Sequence, residues 1–289
     1  MQPKTKITLV GNNKIVNYND KTLFIKKRTS YNIEDIYKYL DDHLVDNYLK
    51  PIEITNKELI FPYIENTTLT NDEISKRLVL NLAIWQNKTT TYQEINLDEV
   101  KTFYEEKKKD INYLYAYYQD LVLQLESKVY YLPTEYLFLR NSSMINNQLR
   151  LTEELLEEWY SIVKTKERER LVYVHGKCSL DHFLPKDDGY FISLENAHLG
   201  LVTDDIEYLF RNSFSTIDLG TTYDLYQRKY PYSEEEKLLL FIKLSLPEKI
   251  SIYPANLETN KKILLFYNKL ATFNRFILEK KQKNKNGKW

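Results

Sequence analysis

The chain has 289 residues, 43% of them apolar, and its 41 basic side chains are matched by 41 acidic ones. That apolar content fits a globular protein with one large core or two lobes and excludes a disordered chain. The charge balance leaves no overall electrostatic footprint for nucleic acid or an anionic membrane. Cys178 is the only cysteine, so no intrachain disulfide can form, which suits a reducing compartment. No apolar run approaches the ~20 residues of a bilayer span, and the first residues lack a signal-peptide core. The expectation is a cytoplasmic protein without a membrane span or a nucleic-acid partner.

Three strands open the chain at residues 6–10, 14–18 and 22–26. Gly11-Asn12-Asn13 makes the first tight connection and Asn19-Asp20 the second. Residues 32–44 carry Ile33, Ile36, Tyr37, Leu40 and Leu44 on one helical face, with Asn32 as the N-cap. Strand and turn alternate from 50 to 64, where Pro62 removes one backbone donor. A linker is expected at 65–71. Helical spacing then dominates, over 72–87, 97–128 and 152–165, with Pro133 as an interruption and 134–139 helical or irregular. Beyond residue 200, helices are expected from about 203 to 210, 234 to 246 and 256 to 280. Ser233 and Glu236 stand at capping-box spacing before the second of these. The lysine-rich tail from 280 reads as frayed.

Polar chemistry concentrates in one stretch, residues 171–210. An apolar strand over 171–174 runs into His175-Gly176, then Lys177 to Asp181, then His182-Phe183-Leu184. A Lys186-Asp187-Asp188-Gly189 turn leads to a second strand at 190–192. Three of the four histidines and the cysteine fall here.

This layout resembles the catalytic core of aminoglycoside-phosphotransferase-like kinases, in which a strand precedes His-Gly-Asp-x-x-x-x-Asn-Ile-Leu and a metal-binding Asp follows after a turn and strand. The resemblance implies an α+β, bilobal, protein kinase-like fold, with a sheet-rich small lobe over 1–66 and a mainly helical lobe over 67–289. His175 and Gly176 match the family's turn, Glu195 the acid two positions beyond the metal-binding Asp, and Asp205 the Asp that braces the catalytic loop. Lys177 stands where the family has its catalytic Asp, His182 where it has the metal-ligating Asn, and Ser193 where it has the metal-ligating Asp. Phosphoryl transfer needs a carboxylate at the nucleophile and hard oxygen ligands for Mg2+. A lysine has the wrong sign for the first, and serine and histidine are poor substitutes for the second.

In the same family a strand-three lysine reaches the ATP phosphates, and Lys26 or Lys27 holds that place. Glu34 or Asp35 is positioned to pair with it, although an acid in a first helical turn is favoured by the helix dipole anyway. The hinge, which includes Phe61 and Tyr63, is where backbone groups would meet an adenine. A single glycine at 11 cannot form a glycine-rich phosphate cradle. The segment from Tyr232 to Lys249, an acidic helix ending in Pro-Glu-Lys, is similar to the C-terminal signature of the spore-coat CotS-type branch. Together these imply a pseudokinase with protein partners, in the cytoplasm and associated with a spore coat, needing no cofactor. The alternative is a divergent small-molecule phosphotransferase using ATP with Mg2+.

Three other readings attach to the same residues. Lys177 is a candidate ion-pair partner of Asp205 or Glu195. A transition-metal site built from His175, Cys178, His182 and His198 lacks paired cysteines. Cys178 as a hydrolytic nucleophile has no local signature, and a lone cysteine is more often a small buried hydrophobe.

Overall fold

The computed structural model describes residues 6–11, 13–18, 21–30, 32–65 and 67–285. In chain order its elements are β1 (Lys6–Val10), β2 (Asn13–Tyr18), β3 (Lys21–Lys27), α1 (Ile33–Asp42), β4 (Glu53–Ile54), β5 (Glu58–Pro62), α2 (Asn71–Thr89) and β6 (Thr91–Glu94). Then come α3 (Leu97–Glu126), α4 (Pro133–Val163), β7 (Arg168–Val174), β8 (Phe183–Leu184), β9 (Tyr190–Phe191) and β10 (His198–Leu201). Four helices finish the chain: α5 (Asp204–Ser213), α6 (Leu219–Lys229), α7 (Glu234–Ser245) and α8 (Leu257–Lys285). Of the expected features, Asn12 of the first connection, the Asn19-Asp20 turn, Asn66 of the linker and the last four residues of the tail lie outside the described residues.

The elements sort into two compact units. The first comprises Met1–Thr91, Leu171–Ile217 and Thr221–Pro231. Its five-stranded antiparallel sheet has the order β1-β2-β3-β5-β4. The register sets Ile15 opposite Phe24 and Phe24 opposite Phe61, so one rung of the sheet carries three apolar side chains on one face. Strand periodicity puts Lys26 on that face, two residues beyond Phe24, and Lys27 on the other, where it is exposed.

Helix α1 buries Ile33, Ile36 and Leu40, one helical stripe. Asn32 precedes it but makes no capping bond, contrary to the expectation. Helix α2 is capped by Thr70 and Glu73, the Thr70 amide donating to Glu73 Oε2 at 2.9 Å. Its apolar face ends at Trp85, which is fully buried and donates from Nε1 to the Tyr173 carbonyl at 2.5 Å. The indole meets the Phe191 ring edge-on at 5.3 Å and lies 6.5 Å from the His175 ring. Helix α2 thereby fixes β7 and the chain that follows it.

The second unit comprises Tyr92–Arg170, Asp218–Gly220 and Tyr232–Trp289. It is helical, with α4 packed on α3, α7 and α8. Helix α7 is buried almost all round from Leu238 to Leu244, as expected of a central helix. The Ser233 amide donates to Glu236 Oε2 at 2.8 Å, one half of the expected capping box. The separate helices expected over 134–139 and 152–165 are one helix, α4, of 31 residues. The polar run from Arg140 to Asn147 hides a continuous buried stripe through Phe138, Ile145, Leu149, Thr152 and Leu156, and that stripe decides. Among the described residues no helix is long and apolar enough to cross a membrane.

Candidate functional site

The site lies wholly in the first unit and begins where β7 ends. Val172 and Val174 are buried, and β10 pairs with the strand from Leu171 to Val174. At His175-Gly176 the chain turns over the N-terminus of α5. There Asp205, fully buried, accepts from the His175 amide at 2.9 Å and from the Gly176 amide at 3.0 Å. Two backbone donors on one carboxylate hold the turn rigidly. Gly176 has φ +79, and a Cβ there would lie 2.2 Å from the Asn196 carbonyl oxygen, so no other residue fits.

His175 is neutral by construction. Its Nε2 donates to the Ile192 carbonyl at 2.9 Å while its Nδ1 accepts from the Lys177 amide at 3.2 Å, a tautomer assigned from the bonding pattern. Burial pulls its pKa down to about 4. Burial pushes Asp205 the other way, up to about 6, against the two amides that favour its charge. The neighbouring Cys178 thiol is raised well above its ordinary value by burial and then by Asp205, so it is held as a thiol. That is the wrong state for a nucleophile.

His182 lies over the His175 ring at 5.8 Å and its Nδ1 meets the Lys177 carbonyl at 2.7 Å. Lys177 itself is exposed, and it makes no ion pair among the described residues. The expected pair with Asp205 or Glu195 is absent for two reasons. Asp205 is fully buried and engaged by two backbone donors while Lys177 stays exposed, and Glu195 is taken by a different lysine.

That lysine is Lys26 of β3. Its ammonium sits 2.5 Å from Glu195 Oε1 and 3.1 Å from Ser193 Oγ, with the Lys26 and Glu195 side chains 20% and 12% exposed. Ser193 is in the left-handed region at φ 63, the conformation that turns the chain from β9 into the single helical turn Leu194–Asn196 and aims Glu195 back at the sheet. The Tyr37 phenol of α1 is raised above its ordinary value by burial and then by the Glu195 carboxylate. Neither acid in the first turn of α1 meets Lys26. Glu34 instead takes a bidentate pair from Arg28 at 2.7 and 2.6 Å.

Beside Lys26 is a cavity of about 370 Å³. The Ile15, Phe24 and Phe61 rung forms one wall, and Leu184 and Ile192 line it further, with Lys26 and Ser193 also in its lining. Tyr63 also lines it, but its amide donates to the Thr22 carbonyl at 3.1 Å, prolonging the β3–β5 ladder by one residue. Pro62 has no amide to offer, so the expected hinge donors at 61–63 are committed or missing. The sequence reading singled out Lys26, Phe61 and Tyr63 of this cavity. It missed Ile15, Phe24 and Ile192, whose alternation on strand-like runs was the available signal.

No protein-family model and no curated protein sequence matches the chain. Solved structures do. An aminoglycoside phosphotransferase from Alicyclobacillus acidocaldarius superposes with a TM-score of 0.69 at 9% identity, over 97% of this chain and 92% of that one. The AMP-bound spectinomycin phosphotransferase APH(9)-Ia gives 0.53 at 13%, over 93% and 92%. A chain from Ralstonia eutropha described as an aminoglycoside phosphotransferase gives 0.50 at 9%, over 96% and 93%. At these identities the likeness concerns the fold alone. The chain has the α+β, protein kinase-like fold of the aminoglycoside phosphotransferases.

Proposed function

We propose that the chain is a kinase-like protein that binds a ligand in its cleft and does not transfer phosphate. The Lys26–Glu195 pair carries this reading. The acid beside the metal position, which would help hold a cation, is spent on the lysine. The remaining donors fit Mg2+ poorly, being the Ser193 hydroxyl, which already accepts from Lys26, and the His182 imidazole, a softer ligand. At the position after the turn, Lys177 brings a positive charge to where phosphoryl transfer wants a carboxylate. The apolar cavity, by contrast, suits a flat ring such as a purine, with phosphates or another anion toward Lys26 and Lys177.

The lobes of this reading divide near residue 66. Protein partners, a cytoplasmic site and a place in a spore coat belong to it too, the last resting only on the segment from Tyr232 to Lys249. The competing function is ATP-dependent transfer to a small molecule, which the fold's catalytic relatives favour. Thermal unfolding with ATP, with and without Mg2+, separates the two, because a ligand of the folded state raises the melting temperature with its occupancy. A shift independent of Mg2+ is the expected result. A shift that appears only with Mg2+ overturns the proposal and makes the transferase the better account.

A further inference from the structure

Residues 136–152 of α4 and residues 259–278 of α8 contain no aspartate or glutamate, yet they hold Arg140, Arg150, Lys261, Lys262, Lys269 and Arg275. Of these, Lys269 is paired with Glu248 and Arg150 lies 3.9 Å from Glu154, so the local excess of positive charge rests on the others. Between the two helices lies a pocket of about 280 Å³, lined among others by Met144, Asn147, Gln148, Leu270, Asn274 and Arg275.

Its least ordinary member is Gln148. The side chain is 1% exposed, and its Oε1 accepts from Asn274 Nδ2 at 2.9 Å. Its Nε2 has no hydrogen-bond partner. Buried donors are nearly always matched by protein or by water, so an unmatched one lining a pocket marks a place for an acceptor, either a water or a ligand group. Arg275, exposed at the same pocket, makes no ion pair among the described residues. Met144 and Leu270 supply apolar wall.

We propose that this pocket binds a small apolar carboxylate. One carboxylate oxygen accepts from Gln148 Nε2, the Arg275 guanidinium takes the charge, and the organic body lies against Met144 and Leu270. Arginine matches carboxylate geometry. The volume, just under the roughly 300 Å³ at which ordinary small-molecule pockets begin, restricts the ligand to a few carbons. The site is separate from the cleft of the first unit and does not depend on the reading given to it.

The test uses the full chain, with sodium butyrate as the probe and butyramide and inorganic phosphate as comparators. Side-chain amide signals in 1H–15N spectra follow Gln148 directly. Butyrate is expected to shift the Gln148 signal saturably, with butyramide weaker by about tenfold or more for want of charge. Arg275→Gln is expected to weaken butyrate by about tenfold with the melting temperature unchanged, since the residue is exposed. Ala271→Trp, at the pocket mouth, is a second exposed variant that should block binding. No saturable shift at millimolar butyrate overturns the proposal, as does a shift indifferent to both variants. An Nε2 proton in exchange with a long-lived water that butyrate does not displace also overturns it. Phosphate binding as tightly as butyrate overturns the apolar-carboxylate assignment.

Discussion

Replacing His175 by glutamine should change how stability depends on pH, in a direction the buried turn dictates. The folded pKa of His175 is about 4 against 6.5 ordinarily, so between those values the unfolded chain holds a proton that the folded one refuses. Its contribution is therefore complete above pH 6.5 and is lost as the pH falls toward 4. Asp205 works oppositely. Its folded pKa of about 6 lies above the ordinary 3.8, so the folded chain holds the extra proton, and stability from this group rises as the pH falls through the same range. Between pH 7 and pH 5 the histidine costs about 2 kcal/mol and the aspartate returns about 1 kcal/mol. His175→Gln keeps one of the two ring hydrogen bonds and is expected to cost about 2 kcal/mol at pH 7. Because the glutamine does not titrate, the gap between wild type and variant should close by about 2 kcal/mol at pH 5. Urea unfolding at the two pH values measures the gap, and groups common to both proteins cancel. A gap that stays constant to within about 0.5 kcal/mol would refute the buried, neutral imidazole.

Glu195→Gln breaks a partly buried ion pair and should lower stability by about 2 kcal/mol, read by urea unfolding. Under the proposed function it also frees the Lys26 charge, so ATP measured without Mg2+ should bind about tenfold more tightly. Weaker binding would mean that Glu195 serves the ligand rather than opposing it. Gly176→Ala should cost about 3 kcal/mol or more, since the new Cβ meets a backbone carbonyl and the residue keeps a left-handed conformation. A loss below about 1 kcal/mol would show that the turn is not pinned between Asp205 and Asn196.

Local pattern was enough for the strands from residue 6 to 27 and for the turn at His175-Gly176, because alternation and glycine placement are written into adjacent residues. Lys26 could be singled out over a short window, and strand periodicity then separated it from Lys27. Its partner could not. Ser193 is 167 residues away from it in sequence, and Glu195 is aimed only because Ser193 adopts a backbone conformation that no serine announces. The candidates within reach of a local pattern were Glu34 and Asp35, and Glu34 is taken by Arg28. Helix α4 was misjudged for the converse reason. Its middle is poor in strong helix formers, and tertiary burial of Ile145 and Leu149 overrode propensity. The Gln148 donor is a feature of packing, invisible until α8 is laid beside α4.

Trp85 gives the His175-Gly176 turn a built-in optical reporter. Its indole is fully buried against Phe191 and near His175, while Trp159, stacked edge-on with Phe103 at 5.1 Å, belongs to the second unit. Each unit thus has its own fluorophore in an apolar setting. With Trp159 and Trp289 changed to phenylalanine, blue-shifted emission would come from beside the His175-Gly176 turn alone. Its quenching as His175 becomes protonated on acidification would follow that turn in real time, without a ligand or a label.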